Sequence, residues 1–294
     1  MGSDIVFLEA GAEVDREALK ERAATVLERG LGFVERHGDA VGQLRTLVLL
    51  EARPREALLA ALEARQGSDG SHAPLGLATG GALGFEDAAS TLPAPLLGTL
   101  EALAVLGDAG ALHASGVAGA EAFLRGTQRE DGSWGGGDDA AARLFATGML
   151  GGFLGRTRVV RPAVLAGAGA FLTGLWSPER VEEGRWSALC AFAHFFTNVH
   201  HELADEALQW CGRELERGFR SRRFDALATL RVLVYCDAAA LPGARFDAAE
   251  LLEALLAEQA ADGGFAELSG GGATARVAPT HDAMLSILRL CRVL

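Results

Sequence analysis

Two adjacent carboxylates, Asp138 and Asp139, come directly after Gly135, Gly136 and Gly137 and before an apolar segment with helical periodicity. A carboxylic acid that protonates an alkene must be neutral yet strongly acidic, so its neighbours must both hold its proton and stabilise the resulting carboxylate. Two adjacent carboxylates at a helix N-terminus supply part of this, because they can share a proton while the helix dipole favours negative charge. The pattern predicts a catalytic pair at the mouth of a cavity, with Asp138 as the acid and Asp139 as its partner.

Helix capping is the alternative role for either carboxylate of this pair, since aspartate is a preferred N-cap residue. Polar pairs precede apolar helical patterns at two further places, Glu86-Asp87 and His281-Asp282. Capping residues would recur in this way, and so would residues that surround one end of a cavity. The candidate substrate-binding residues therefore include Glu86, Asp87, His281 and Asp282.

Aromatic side chains concentrate on the apolar helical segments. Those selected as candidate substrate-binding residues are Phe145, Trp186, Phe192 and Phe196. Aromatic faces around a cavity stabilise carbocations and exclude water from reactive intermediates. Core packing is the alternative for each of them taken singly.

Arg231 lies within an otherwise apolar segment, Ala-Thr-Leu-Arg-Val-Leu-Val-Tyr. A buried arginine must be paired with an acid or face a polar cavity. The two alternatives are a bound diphosphate and an ion pair with a carboxylate such as Asp225 or Asp282.

The elements that must position these residues are helices. Helical periodicity covers almost the whole chain, and the alternation typical of strands is nearly absent. Twelve segments are predicted, at 15–36, 40–52, 54–66, 89–107, 111–126, 139–155, 161–175, 186–200, 203–217, 223–237, 245–259 and 280–293. Even-numbered segments are apolar almost all round and odd-numbered ones carry a charged face, which indicates alternating buried and surface helices. This predicts an all-α (α/α)6 barrel, or toroid, in a single domain over 1–294, with 1–14 as an N-terminal extension.

The loops in this pattern differ in length. Those that lead from a surface helix to a buried one are long, and those that lead back are short. The buried helices are then parallel, and the long loops gather at their N-terminal ends. Function is expected at that end, around the central cavity.

The sequence Gln-x-x-Asp-Gly occurs three times, beginning at Gln66, Gln128 and Gln259. The central copy, Gln128 to Trp134, resembles the QW repeat of squalene–hopene cyclases, lanosterol synthases and prenyltransferase β-subunits. The resemblance implies an α/α toroid and an isoprenoid or similarly apolar substrate. It also implies that Asp138 and Asp139 match the last two acids of the Asp-x-Asp-Asp motif of class II terpene cyclases, whose first acid is replaced here by Gly136.

The prenyltransferase branch of this superfamily binds zinc through aspartate, cysteine and histidine. His281 lies near the expected histidine, but no cysteine follows Asp225 at the required spacing. The thiolate is what activates such a site, so no metal site is predicted. No cofactor is expected either, unless a diphosphate substrate brings Mg²⁺ with it.

Three functions are consistent with these residues. The first is a terpene-cyclase-like enzyme, a lyase or isomerase, that cyclises a hydrophobic substrate after protonation by Asp138. The second is a barrel that binds an apolar ligand or a partner protein without chemistry. The third is a glycosidase-type barrel, in which acids such as Glu86, Asp138 and Asp282 would do acid–base work.

Composition excludes several partners. The formal net charge is −12, which opposes binding to nucleic acid or to an anionic membrane surface. No apolar run approaches the length of a membrane span. Four widely spaced cysteines and the absence of a signal-peptide pattern favour the cytoplasm. The expected partner is a hydrophobic small molecule; a homodimer or a partner domain that closes the cavity remains open.

Overall fold

The computed structural model describes residues 15–77, 92–182, 186–265 and 272–294. Within these ranges the chain is all-α and contains no strand, only two isolated β-bridges. The helices are α1 Arg16–His37, α2 Ala40–Leu49, α3 Arg55–Glu63, α4 Ala94–Asp108, α5 Gly116–Thr127, α6 Ala140–Gly155, α7 Pro162–Leu175, α8 Pro178–Glu182, α9 Trp186–Asn198, α10 Ala204–Arg220, α11 Ala226–Tyr235, α12 Ala248–Ala257 and α13 Val277–Val293, with a 3-10 helix at Ala273–Arg276. None of the described helices combines the length and the apolar character that crossing a bilayer requires.

Each of the twelve predicted segments corresponds to a helix, and one helix was missed. The missed helix, α8, has five residues, which is too short to show a period. The last helix begins at Val277, three residues earlier than predicted. Pro279 does not prevent this start, because backbone N–H groups in the first turn have no partner within the helix.

From α4 onward, buried and surface helices alternate as the charge pattern predicts, whereas α2 buries only four of its ten residues. Ten of the fifteen residues of α4 are buried and twelve of the sixteen of α6, whereas α10 buries one face and exposes a charged one. Buried helices pack on one another in the order α4–α6, α6–α9, α9–α11 and α11–α13, and α13 also packs on α2. Surface helices cover them: α7 packs on α6, α10 on α9, and α12 on both α11 and α13.

The α6–α9 pair makes the most extensive of these contacts because glycines allow the two backbones to approach closely. A Cβ atom at Gly148 would lie 2.6 Å from the Cβ of Ala191, and one at Gly152 would collide with the His194 ring. Phe145 and Phe195, on the same two helices, are fully buried. The Phe195 ring packs against Gly151, where a Cβ atom would lie 2.8 Å from it.

The three Gln-x-x-Asp-Gly copies adopt the same hydrogen-bonded turn. In each copy the glutamine Nε2 donates to the carbonyl of the glycine four residues on, at 2.9–3.0 Å, and to a carbonyl of the next surface helix, at 2.8–2.9 Å. Those second acceptors are Gly116 in α5 for Gln66, Val164 in α7 for Gln128 and Val26 in α1 for Gln259. One amide therefore joins a turn to the neighbouring helix, and the last copy joins the C-terminal region to α1.

Glycine is required in these turns for two reasons. Gly70, Gly132 and Gly263 have φ values of 85°, 84° and 94°, which favour glycine. A Cβ atom there would also collide with the backbone of the neighbouring surface helix. The turns contact the buried helices as well, since the N–H of Trp134 donates to Thr147 Oγ1 and that of Phe265 to Thr280 Oγ1, both at 3.0 Å.

Replacing Gln259 with alanine should lower the free energy of unfolding by about 1–3 kcal/mol, because the carbonyls of Val26 and Gly263 lose their donor. Urea denaturation followed by circular dichroism measures this change. Gln209→Ala, on the exposed face of α10, is the matched control and should change stability by less than about 0.5 kcal/mol. Equal losses in the two variants would contradict a clamping role for Gln259.

Glu258, at the end of α12, caps the start of α11. Its carboxylate accepts from the N–H groups of Ala226, at 2.6 Å, and Leu227, at 3.1 Å. Burial, and after it the nearby charge of Asp225, raise the pKa of Glu258 to about 7, although the two hydrogen bonds act in the opposite direction. The folded protein therefore holds this proton more tightly than the unfolded chain does.

When folding raises the pKa of a group, the protonated group stabilises the folded state. This contribution to the free energy of unfolding is full at pH values below the unfolded pKa, and it is lost as the pH rises through the folded pKa. For Glu258 this window runs from roughly 4.5 to about 7. Within this pH window, the free energy of unfolding should fall less steeply with pH in Glu258→Gln than in the wild type. Urea titration at several pH values measures this. Glu28→Gln, at an exposed position on α1, should keep the wild-type profile. An unchanged profile in Glu258→Gln would contradict this assignment.

Candidate functional site

Asp138 and Asp139 line none of the cavities described below. The Asp138 side chain is fully exposed and, among the described residues, it makes one ion pair, a 3.9 Å contact with Arg129. Asp139 is also exposed and is the N-cap of α6, where it accepts from the N–H groups of Ala141, at 2.9 Å, and Ala142, at 3.4 Å. The predicted inward orientation of the pair is therefore wrong, because capping turns the Asp139 carboxylate back onto its own helix.

The candidate aromatic residues are core residues. Phe145, Phe192 and Phe196 are buried; Phe192 packs edge-on against Trp176 and is stacked with Phe196. Trp186 is nearly buried, and its Nε1 donates to the carbonyl of Ala228 at 2.9 Å. None of these four lines the two cavities described below, so core packing accounts for each of them. Two further candidates, Glu86 and Asp87, lie outside the described residues.

A buried ion network joins four of the buried helices. Asp282 on α13 is bonded at 3.0 Å to Arg45 on α2 and at 3.0 Å to Arg231 on α11. Arg45 also pairs with Asp108 at the end of α4. The predicted pairing of Arg231 is thus confirmed with Asp282, whereas Asp225 caps α11. Sequence reasoning missed Arg45 and Asp108, although Arg45 carries the same signal as Arg231, a cation in an apolar helix.

The network is electrically balanced, with two guanidinium ions and two carboxylates. Burial lowers the pKa of Arg45, but the charges of Asp108 and Asp282 outweigh it, so the pKa of Arg45 is raised. Burial also lowers the pKa of Arg231, but Asp282, Tyr235 and Cys190 together raise it further, so the pKa of Arg231 is raised. Both arginines therefore stay charged. For Asp108, burial raises the pKa and outweighs the lowering effect of the Arg45 charge.

His281 lies beside this network. Thr46 Oγ1 lies 3.1 Å from the carbonyl oxygen of Gly42 and 3.0 Å from His281 Nδ1, so it joins the ring to α2. Burial, and then the charge of Arg45, hold the pKa of His281 well below its usual value, so the ring is neutral.

Asp108, His281 and Asp282 could each offer one ligand atom to a metal ion, and these atoms lie within 4.8 Å of one another. Arg45 Nη2, however, is already bonded to both carboxylates. A divalent ion added to this balanced network would leave two excess positive charges in the interior, which is costly. The residues therefore suit a guanidinium ion and fit a divalent metal poorly.

Two neighbouring cavities open at the C-terminal ends of the buried helices. The first, of about 510 Å³, is the polar cavity and is bordered by α2, α3, α4 and α13. Its polar wall consists of the cations Arg45, Arg55, Arg289 and Arg292, the acids Glu51, Glu56 and Asp108, and His281. The second, of about 320 Å³, is the apolar groove between α11, α12 and α13; its wall includes Leu233, Val234, Phe246, Leu251 and Leu290.

The cavities share two cations of α13. Arg289 and Arg292 line both of them. Arg289 is paired with Asp237, whereas Arg292 is exposed and has no ion pair in the described part of the chain. Function was predicted at the opposite end of the buried helices, where the turns contact them. Among the candidate residues that the structure describes, only His281 lines either of these cavities.

Replacing Asp282 with asparagine should lower the free energy of unfolding by about 3–5 kcal/mol, because Arg45 and Arg231 would lose a shared counter-charge in the interior. Asp138→Asn is the matched control, since the same chemical change at a fully exposed side chain should cost less than about 0.5 kcal/mol. Urea denaturation of both variants tests this. Similar stabilities would mean that the network does not hold the helices together.

Comparisons of the chain with protein-family models, with curated proteins and with solved structures found no match.

Proposed function

We propose that the helices form a closed double ring, the toroid of the QW-repeat superfamily, with α2, α4, α6, α9, α11 and α13 inside. The chain of contacts from α4 to α13 and on to α2 supports this arrangement. So does Gln259, which joins the turn after α12 to α1, because a closed outer ring brings its last helix beside its first.

The proposed function of this scaffold is to bind an amphipathic anion, a small molecule with an apolar chain and a phosphate or carboxylate head. The chain occupies the apolar groove, and the head lies at Arg292 on the border of the polar cavity. Both volumes fall within the range of small-molecule sites, about 300–1,000 Å³. Isoprenoid phosphates belong to this class, and the resemblance of the repeats to isoprenoid enzymes favours them.

The observation that carries the proposal is the position of Arg292 between an apolar and a polar cavity. In a chain with a net charge of −12, an arginine without an acidic partner at the end of an apolar groove is well suited to an anionic head group. An apolar groove without a cation would bind any apolar molecule, and a cation without the groove would bind any anion. The two together select an amphipathic anion.

Binding is better supported than acid-initiated cyclisation or glycoside hydrolysis. Asp138 is fully exposed, and the two oxygens of Asp282 are each engaged by an arginine. A carboxylate in either situation is a poor proton donor, because donation requires a neutral acid shielded from water. Both reactions remain predictions from the sequence alone.

Isothermal titration calorimetry with farnesyl phosphate, farnesol and inorganic phosphate tests the proposed function. Arg292→Gln should weaken farnesyl phosphate binding about tenfold and leave farnesol binding unchanged, since it removes one charge-assisted contact. Val234→Asp, which places a charge on the groove wall, should weaken both ligands.

Val159→Asp is the matched control for the groove variant, because Val159 is 44% exposed and lies on neither cavity. It should bind both farnesyl ligands as the wild type does. Absence of farnesyl phosphate binding in the wild type, or equal affinities in the wild type and Arg292→Gln, would overturn the proposed function.

A further inference from the structure

A third cavity, which we call the basic cavity, lies where α4 and α6 end. Its volume is about 400 Å³, and it is lined by Gly107, Gly110, Leu112, His113, Arg156 and Arg158. It shares no residue with the polar cavity or with the apolar groove. Gly110 has a φ of 63°, and a Cβ atom there would meet nothing within 4 Å. The space beside it is therefore open.

Three basic side chains meet at this cavity, and its wall contains no acid. Arg156 and Arg158 come from the turn after α6, and His113 comes from the turn after α4. In the described part of the chain, none of the three forms an ion pair or a side-chain hydrogen bond. The nearest acid in sequence, Asp108, is already engaged by Arg45. Acids outnumber lysine and arginine by 39 to 27 in this chain, so two unpaired arginines side by side are unexpected.

Arg156 is half-buried, and its positive charge affects a titratable group in the interior. Burial lowers the pKa of His194 to about 3, and the positive charge of Arg156 acts in the same direction. A counter-ion held near Arg156 would reduce this effect.

Complementing the dipole of α6 is the ordinary role for a cation at a helix C-terminus. Arg156 is the C-cap residue of α6, so this role accounts for Arg156. It does not account for His113, which belongs to another turn, or for the convergence of all three side chains on one hollow.

We propose that the basic cavity binds a phosphate monoester through its phosphoryl group. The planar guanidinium groups of Arg156 and Arg158 match the geometry of phosphate oxygens, and His113 adds a third donor. The volume exceeds what a phosphoryl group needs, which leaves room for the organic part of a small ester. This site shares no residue with the proposed amphiphile site. Because farnesyl phosphate is itself a phosphate monoester, the farnesyl titrations are made in the Arg156→Gln/Arg158→Gln background, which isolates the site at Arg292.

Calorimetry with glucose 6-phosphate and with inorganic phosphate tests the inference. Arg156→Gln/Arg158→Gln should weaken both probes at least about tenfold, and Arg156→Lys should keep part of the affinity because it keeps the charge. Arg16→Gln, at an exposed position of α1, is the matched control and should bind as the wild type does. Arg292→Gln should also bind both probes normally, which separates this site from the amphiphile site.

Thermal unfolding provides a second readout. Glucose 6-phosphate should raise the Tm of the wild type and of Arg16→Gln but not that of the double variant, because a ligand stabilises only the state that binds it. Stronger binding of glucose 6-phosphate than of inorganic phosphate supports an ester as the ligand; the reverse order would overturn that part of the inference. No binding at millimolar concentration, or equal losses in Arg16→Gln and the double variant, would overturn the site itself.

Discussion

The side-chain amide of a glutamine joins neighbouring surface helices in this protein. Gln66, Gln128 and Gln259 each satisfy two backbone carbonyls, one in their own turn and one in the next helix. Carbonyls in turns cost free energy when they are buried without a donor. One hydrogen of the NH₂ group satisfies such a carbonyl in the turn, and the other binds a carbonyl of the neighbouring helix, which sets the distance between the turn and the helix. The close contacts at Gly132 and Gly263 exist because of this constraint.

Ion pairs join the interior helices in a comparable way. Helices that contact each other only through apolar side chains can shift or rotate against one another with a small change in free energy. The network of Arg45, Asp108, Arg231 and Asp282 spans α2, α4, α11 and α13, and its charges tolerate only one arrangement. The same pairing makes the network a poor metal site, because each acid is already engaged by an arginine. The two proposed ligand sites lie elsewhere, at Arg292 and at the basic cavity, whose arginines have no ion pair in the described part of the chain.

Local patterns in the sequence were sufficient for the helices but not for the site. Apolar periodicity depends on neighbours within two turns, so it located twelve helices and separated buried ones such as α6 from surface ones such as α10. The orientation of Asp138 depends instead on how a glycine-rich turn is folded, and no local pattern reports it. The role of Asp139 was among the alternatives because an N-cap is a local interaction.

The sequence by itself determined that the chain is helical, where its helices lie, which of them are buried and where the repeated turns occur, because propensity, periodicity and turn chemistry act over short stretches. Only the tertiary structure decided that Arg45 and Arg231 share Asp282, that the turns bind the following surface helix, and that the described cavities open at the end opposite the turns. The physical reason is that these features depend on contacts between residues far apart in the chain, as between Arg45 and Asp282. Such contacts form only where packing brings separate helices to the same place.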